Sequence, residues 1–309
     1  MCYSAQVVDA WRECTRLFGA TLSLVEFARL YGFRLSAERG TGIKLPRAVD
    51  AVFAETEDPK EQAIANDIAE FDRRQTTAWQ QELFRQRVRL ADAQRSLLTK
   101  TTQAAAESQR IATDKITWLL GKLGDLRRTD LRPQDSRFFP GWYAPLIVVE
   151  NGMKVVKPMR YQCRPASKPS LYDRKYPGTY NARRDNLEGF WKGQFGVSHG
   201  VLPVSRFFEN VDRDGSNVVL EFNPADGRPM LIACLWSRWV GAEGELLSFA
   251  AITDEPPPEV AAAGHDRCVI PVKPENIDAW LFPDPKNLAA SYAVLDDRQR
   301  PYYEHRLAA

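Results

Sequence analysis

The chain opens Met1-Cys2, with a residue at position 2 small enough for the initiator methionine to be removed. Removal leaves Cys2 with both a free α-amine and a thiol. An α-amine titrates near 7.7 to 8.0 and a lysine near 10.4, so at pH 7 roughly 10–20% of the former is uncharged, against well under 0.1% of the latter. A neutral amine adds to an aldehyde to give an imine, and the neighbouring thiol can close onto the imine carbon as a five-membered thiazolidine. Such chemistry needs polar groups around it, and three segments could supply them: Tyr180-Asn181-Ala182-Arg183, Ser205-Arg206-Phe207-Phe208-Glu209-Asn210 and Gly264-His265-Asp266-Arg267. Glu209 follows an apolar strand candidate and two phenylalanines, surroundings that raise a carboxyl pKa toward the range useful for proton transfer. A strand-end glutamate paired with an arginine is the plain alternative. If His265 follows a short helix ending at Gly264, the carbonyl end of that helix favours protonated imidazole, although Gly-His-Asp-Arg also reads as an ordinary structural turn. Asn181 and Arg183 lie in a loop rich in Tyr, Arg and Lys, with Arg174, Lys175 and Arg184 nearby. That loop is either a cleft for a nucleic-acid backbone or a soluble surface.

Taken in order behind Met1-Cys2, with Phe249-Ala250-Ala251-Ile252-Thr253 before the last segment and Trp280-Leu281 after it, these segments resemble the SOS-response-associated peptidase (SRAP) family of abasic-site processing proteins. The resemblance covers residues 1 to 55 loosely and 138 to 283 well, and leaves 56–130 outside as an insertion. It implies that Cys2 crosslinks to the ring-opened sugar of an abasic site in single-stranded DNA, shielding it as a thiazolidine during the damage response. It also implies that Asn181 holds the N-terminal residue or the lesion, that Glu209 is a general acid or base, and that His265 moves protons to the sugar oxygen or the leaving phosphate. Arg183, with Arg160 and Arg184, would contact DNA. The peptidase label implies hydrolytic self-processing that removes Met1, and an abasic-site lyase activity can accompany it. Three positions depart from the family pattern. Met159-Arg160-Tyr161-Gln162-Cys163-Arg164-Pro165 replaces a Trp-Gly-Leu element, leaving Tyr161 as the candidate to stack on a base. Ser4 stands where an arginine is usual, and Asn210 where a tryptophan often follows the glutamate.

The elements that must position these residues are legible in outline. Val7, Trp11, Cys14 and Phe18 recur at helical spacing, which predicts a helix directly after the first few residues, and Ser23 with Glu26 has capping-box spacing for a second helix over 24–31, stopped by Gly32. From Lys60 through Leu120 there is neither Gly nor Pro. One rod of that length would extend roughly 90 Å, so a folded-back helical hairpin is expected. After Pro133 short apolar runs alternate with turn residues. Asn151-Gly152 predicts a hairpin, and strands are expected over 201–205, 218–222, 230–236, 246–253 and 268–272, with short helices over 256–264 and 274–281. The fold class is α+β: a curved, mainly antiparallel, barrel-like sheet with peripheral helices and a long helical insertion. We expect one domain over 1–309, the insertion at 56–130 within it, and a C-terminal tail at 284–309.

Composition limits the rest. The 309 residues carry 42 basic and 40 acidic groups, a formal charge of +2, so any affinity for nucleic acid must come from a local cleft. Five cysteines without a C-x-x-C pair and three histidines argue against a zinc site or a disulfide framework, so neither metal nor cofactor is expected. With no secretory signal pattern and no stretch long enough to span a membrane, a cytoplasmic monomer is expected, nucleoid-associated when bound to DNA. Two other readings stay open: an N-terminal-nucleophile amidohydrolase or glutamine amidotransferase in which Cys2 attacks an amide, and a non-catalytic module in which the basic stretch from Arg73 to Lys100 docks DNA or a partner.

Overall fold

Asn151 and Gly152 adopt φ of 51° and 77°, the pair of positive values that a two-residue hairpin turn needs and that Asn-Gly tolerates best. From that turn the sheet can be followed in both directions. The computed structural model describes residues 3–8, 11–36, 43–54, 56–213, 215–242 and 244–308, the side chain of Cys14 excepted. Met1 and Cys2 lie outside the described residues.

In chain order the N-terminal part comprises β1 (Ser4–Val7), α1 (Trp11–Leu17), β2 (Thr21–Leu22), α2 (Leu24–Ser36) and α3 (Arg47–Ala51), followed by the long helices α4 (Pro59–Thr99) and α5 (Gln103–Arg127). Then come β3 (Arg137–Phe138), β4 (Tyr143–Glu150), β5 (Met153–Tyr161), α6 (Tyr172–Lys175) and β6 (Asn181–Arg183). The last part holds β7 (His199–Arg213), β8 (Ser216–Pro224), β9 (Met230–Gly241), β10 (Gly244–Asp254), α7 (Pro258–Ala262), β11 (Cys268–Val269), α8 (Ile277–Leu281), α9 (Leu288–Asp296) and β12 (Tyr303–Leu307).

Five strands close on themselves. β4 pairs β5, β5 pairs β10 in parallel, β10 pairs β9, β9 pairs β7, and β7 returns to β4 through Ile147 opposite Val201. Closure removes the edges that an open sheet would expose. The fold is thus α+β around a barrel-like sheet. At 15 residues β7 outruns the barrel. Its first part, to Val204, pairs with β9, and its second part turns to β1 and β8, the register slipping between Gln6 and Val7. β12 pairs β8, so residues 284–309 contribute α9 and an outer strand. Phe207, Phe222, Phe249, Ile252 and Trp280 are buried in the shared core.

The helical segment folds back once. Asp58 caps α4, accepting from the Lys60 amide at 2.8 Å, and Pro59 occupies the first turn where its missing N–H costs nothing. Thr102 caps α5 by accepting from Ala105 at 3.2 Å. The two helices meet through Leu83, Leu119 and Leu123, flanked by Trp79 and Ile116. Two expectations need correction. Val7 belongs to strand β1 and the first helix starts at Trp11, because pairing with β7 and β3 outweighs local helical spacing. Helix α2 runs through Gly32 to Ser36, since one interior glycine costs only about 1 kcal/mol and Phe27, Leu30 and Tyr31 anchor the helix. Among the described residues no helix is long and apolar enough to cross a membrane.

Candidate active site

Glu209 sits within β7 with no exposed surface. The register Ser4↔Phe208 and Ala5↔Phe207 brings the start of β1 beside it. The Tyr3 N–H is shared, donating to Phe208 O at 3.1 Å and to Glu209 Oε2 at 3.2 Å. Strand pairing, an effect of the Ser4–Val7 sequence, therefore aims the N-terminal segment at a buried carboxyl.

His265 reaches the same oxygen from the other side, its Nε2 3.3 Å from Glu209 Oε2. A helix cap places it. Gly264 N–H donates to Ala261 O at 3.0 Å and His265 N–H to Val260 O at 3.3 Å, with Gly264 at φ 96°. These are the two bonds of a helix end closed by a left-handed glycine, which satisfies otherwise orphaned carbonyls and turns the next side chain inward. His265 Nδ1 lies 2.8 Å from Arg267 O. Nδ1 also lies 3.3 Å from Arg267 N; the shorter contact is to a carbonyl, which only accepts, and it favours the tautomer with the proton on Nδ1 and the lone pair on Nε2 toward Glu209.

Burial pushes the Glu209 carboxyl well above its usual range, more than the Tyr3 N–H lowers it. Burial pushes His265 down from its ordinary value, against the bond to Arg267. Both shifts disfavour charge, Glu209 toward its neutral acid and His265 toward neutral imidazole. Burial thus works against the protonated His265 that the end of a preceding helix would favour, and α7 is only five residues long.

Asn181 begins β6, held parallel to β10 opposite Ala251, and is 7% exposed. Among the described residues neither its Oδ1 nor its Nδ2 has a hydrogen-bond partner. An unmade bond at a buried amide costs on the order of 1–3 kcal/mol, the signature of a group kept for something that binds. Asn181 lines a cavity of about 410 Å³ with Tyr3, Arg183, Asn210, His265 and Arg267. Arg183 stands at its rim, its Nε 3.0 Å from Asp185 Oδ1.

The other expected residues lie elsewhere. Tyr161 is 1% exposed, enclosed by Phe138, Tyr180 and Phe249 at ring separations of 5.4, 5.5 and 5.2 Å. No face is left for a base, so the stacking role does not hold. Arg160 pairs with Asp173 at 2.8 Å and lines a separate cavity of about 360 Å³ beside Tyr143 and Trp239. Arg184 is held by Asp254 at 3.1 Å and by Asp296, at a third cavity near Pro256 and Tyr302. Neither arginine reaches the Asn181 cavity, because each is committed to carboxylates. Cys2 lies outside the described residues. The Tyr3 amide and Arg267 were missed by sequence reading, since a main-chain donor has no residue-type signal and Arg267 was read only as part of a turn.

The family model for SOS response associated peptidase (SRAP) matches residues 94–307, more than half the chain. The chain belongs to the SOS response associated peptidase family. The match opens inside α4 and runs to the end of β12, so it takes in the Asn181, Glu209 and His265 segments of this SRAP chain. No curated protein matches it. Among solved structures, the SRAP chain is similar to a protein from Bordetella bronchiseptica at 20% identity, covering 59% of this chain and 90% of that one, with a TM-score of 0.46. It is also similar to a protein from Bacteroides thetaiotaomicron at 16% identity, over 60% and 82% of the two chains, with a TM-score of 0.49. A phage-related protein from Bordetella bronchiseptica is similar at 18% identity, over 59% and 84%, with a TM-score of 0.44.

Proposed function

We propose that this SRAP protein captures abasic sites in single-stranded DNA through Cys2 once Met1 has been removed. The observation that carries the reading is the meeting of three groups: the Tyr3 N–H and His265 Nε2 on one oxygen of the buried Glu209, beside a cavity into which Asn181 presents an unbonded amide. Cys2 is joined to Tyr3 by one peptide bond, so its amine and thiol belong to a residue whose neighbour is hydrogen-bonded to the acid.

The chemistry follows from these positions. The neutral α-amine adds to C1′ of the ring-opened sugar, and one amine proton passes to the former carbonyl oxygen as the carbinolamine forms. Glu209, whose pKa burial raises, gives its proton to the departing hydroxyl, water leaves, and the resulting iminium returns its N–H proton to Glu209 as the imine forms. His265 Nε2 can hold or return a proton on the same oxygen. The Cys2 thiol then adds across the imine, sulfur to carbon and proton to nitrogen, closing the thiazolidine. One water is released overall. Asn181 would orient the sugar and Arg183 a flanking phosphate. Self-removal of Met1 and abasic-site cleavage belong to the same proposal, with Glu209 and His265 as the available proton carriers.

The test is a denaturing gel of the purified protein with single-stranded DNA carrying one abasic site. The native protein is expected to give a heat-stable shifted band. Cys2→Ala is expected to give no heat-stable band, while Cys2→Ser should give an adduct that persists only after borohydride reduction of the imine. A native protein that forms no adduct, with mass spectrometry showing Met1 removed, sinks the reading.

A further inference from the structure

The residue that braces the N-terminal strand is Arg137, on β3. Its Nε donates to Ser4 Oγ at 3.0 Å, and its guanidinium carbon stands 3.7 Å from the Phe208 ring centre and 4.9 Å from that of Phe139. Tyr3 meets Phe139 edge-on at 5.8 Å. The guanidinium is thus locked against the strand that leads to Cys2. Arg34, Arg128, Arg160, Arg164 and Arg298 are largely buried, and each holds a carboxylate. Arg137 is partly buried and, among the described residues, has no carboxylate within ion-pair distance. Burial lowers its pKa, with only the more distant fields of Tyr3 and Glu221 opposing. A partly desolvated cation fixed by two rings and a hydroxyl, with no counter-charge, is arranged for an anion from outside.

The strand register extends the feature. Gln6 pairs with Arg137 on one side and Arg206 on the other, and Ser4 pairs with Phe208, which stands opposite Glu221, itself opposite Arg306. Cross-strand neighbours share a face. Arg137, Arg206 and Arg306 therefore stand on one sheet face around a single carboxylate, Glu221, bonded to Arg206 at 2.6 Å and to Arg306 at 3.0 Å. Glu304 lies further along the outer strand on that face.

We propose that this face binds phosphates of a nucleic-acid strand, with Arg137 gripping the phosphate next to the N-terminal strand. The proposal rests on the reading above that the partner is DNA, and adds where the backbone runs on leaving the Asn181 cavity. With Nε committed to Ser4 and the guanidinium carbon over two rings, the two terminal nitrogens of Arg137 remain to donate to phosphate oxygens.

The experiment is a salt titration of binding to undamaged single-stranded DNA, read by fluorescence anisotropy. Arg137→Gln is expected to bind roughly tenfold more weakly at low salt, and to lower the slope of log affinity against log salt by about 0.7, one phosphate contact on a single strand. Arg137→Lys should keep most of the slope while losing affinity. Arg306→Gln, at an exposed outer-strand position, should move both quantities the same way by less, and it decides the matter if Arg137→Gln does not fold. Native affinity and slope in folded Arg137→Gln overturn the proposal, as does a loss of affinity with an unchanged slope, or displacement of the DNA by polyglutamate at equal charge concentration. Running the abasic-site gel in parallel separates the two ideas. Adduct formation by native protein with an unaltered slope in Arg137→Gln leaves the capture chemistry standing and removes only the phosphate face. A lowered slope with no adduct from native protein does the reverse.

Discussion

A half-buried carboxyl and a fully buried one stand in opposite states in this molecule. Asp173 lies between Arg160 and Arg164, at 2.8 and 2.5 Å. Burial alone would raise it, but hydrogen bonds and charge from the two guanidiniums hold it below its ordinary value. Glu209 meets the Tyr3 N–H and an imidazole whose pKa burial lowers, and burial holds it well above its ordinary value. The first site holds its carboxylate between two guanidiniums. The second holds a carboxyl whose pKa burial raises and, among the described residues, an amide without a hydrogen bond. The difference teaches that proximity of acid and base is not the mark of chemistry. What matters is whether the partners fix the charge or leave the proton able to move.

The largest contrast is expected from Glu209→Gln, which keeps size and hydrogen bonding but cannot give up a proton. Single-turnover adduct formation should slow by roughly 10²- to 10⁴-fold. The native rate should rise with pH as the α-amine near 7.7 to 8.0 loses its proton, and fall again as pH passes through the raised value of Glu209. The variant should lose the falling limb. A native profile in Glu209→Gln would mean that the acid is not the proton donor.

Asp173→Ala is next. Removing the shared partner strands two largely buried guanidiniums and should cost about 3 kcal/mol in urea unfolding, with the adduct rate of folded protein unchanged. The pH dependence has opposite signs at the two sites. Asp173, with its folded value depressed, contributes stability that is present above its unfolded value and lost as pH falls through the folded one. Glu209, with its folded value raised, contributes stability that is present at low pH and lost as pH rises through the folded value. The defect of Asp173→Ala should therefore shrink in acid, whereas Glu209→Gln should gain on the native protein as pH rises. Equal pH dependence of the two variants would erase the contrast.

Sequence reading found the Glu209, His265 and Asn181 segments because each lies in a short stretch with its own local grammar: an apolar strand, a glycine-ended helix, an aromatic and basic loop. It found the Asn151-Gly152 hairpin and the folded-back helices for the same reason. It could not show that Arg160 and Arg184 are paired with carboxylates or that Tyr161 is enclosed by rings, because a residue's partners come from segments far away in the chain. Arg184 is taken by Asp254 and Asp296, and Tyr161 by Phe138 and Phe249. Barrel closure, the turn of β7 from β9 to β1, and the bracing of Ser4 by Arg137 are likewise long-range pairings. Single-sequence periodicity carries no record of them. The position of His265 after a helix is legible locally, while the burial that lowers its pKa is not.

The smallest expected change in stability, and the sharpest for the comparison, belongs to Asn181→Ala. Among the described residues neither atom of the amide is bonded, so removing it breaks no hydrogen bond within them, and loss of an unsatisfied buried group offsets the small void left behind. The unfolding midpoint should move by less than that of Asp173→Ala, in either direction, while the adduct rate on abasic DNA falls about tenfold through loss of one oriented hydrogen bond to the sugar. The two readouts are expected to separate, because a side chain held for a ligand contributes nothing until the ligand arrives. If Asn181→Ala instead lost stability on the scale of Asp173→Ala with its adduct rate intact, the Asn181 cavity would be of the same kind as the one beside Arg160. The contrast between a site that fixes charge and a site that waits for a partner would then rest on Glu209 and His265 alone.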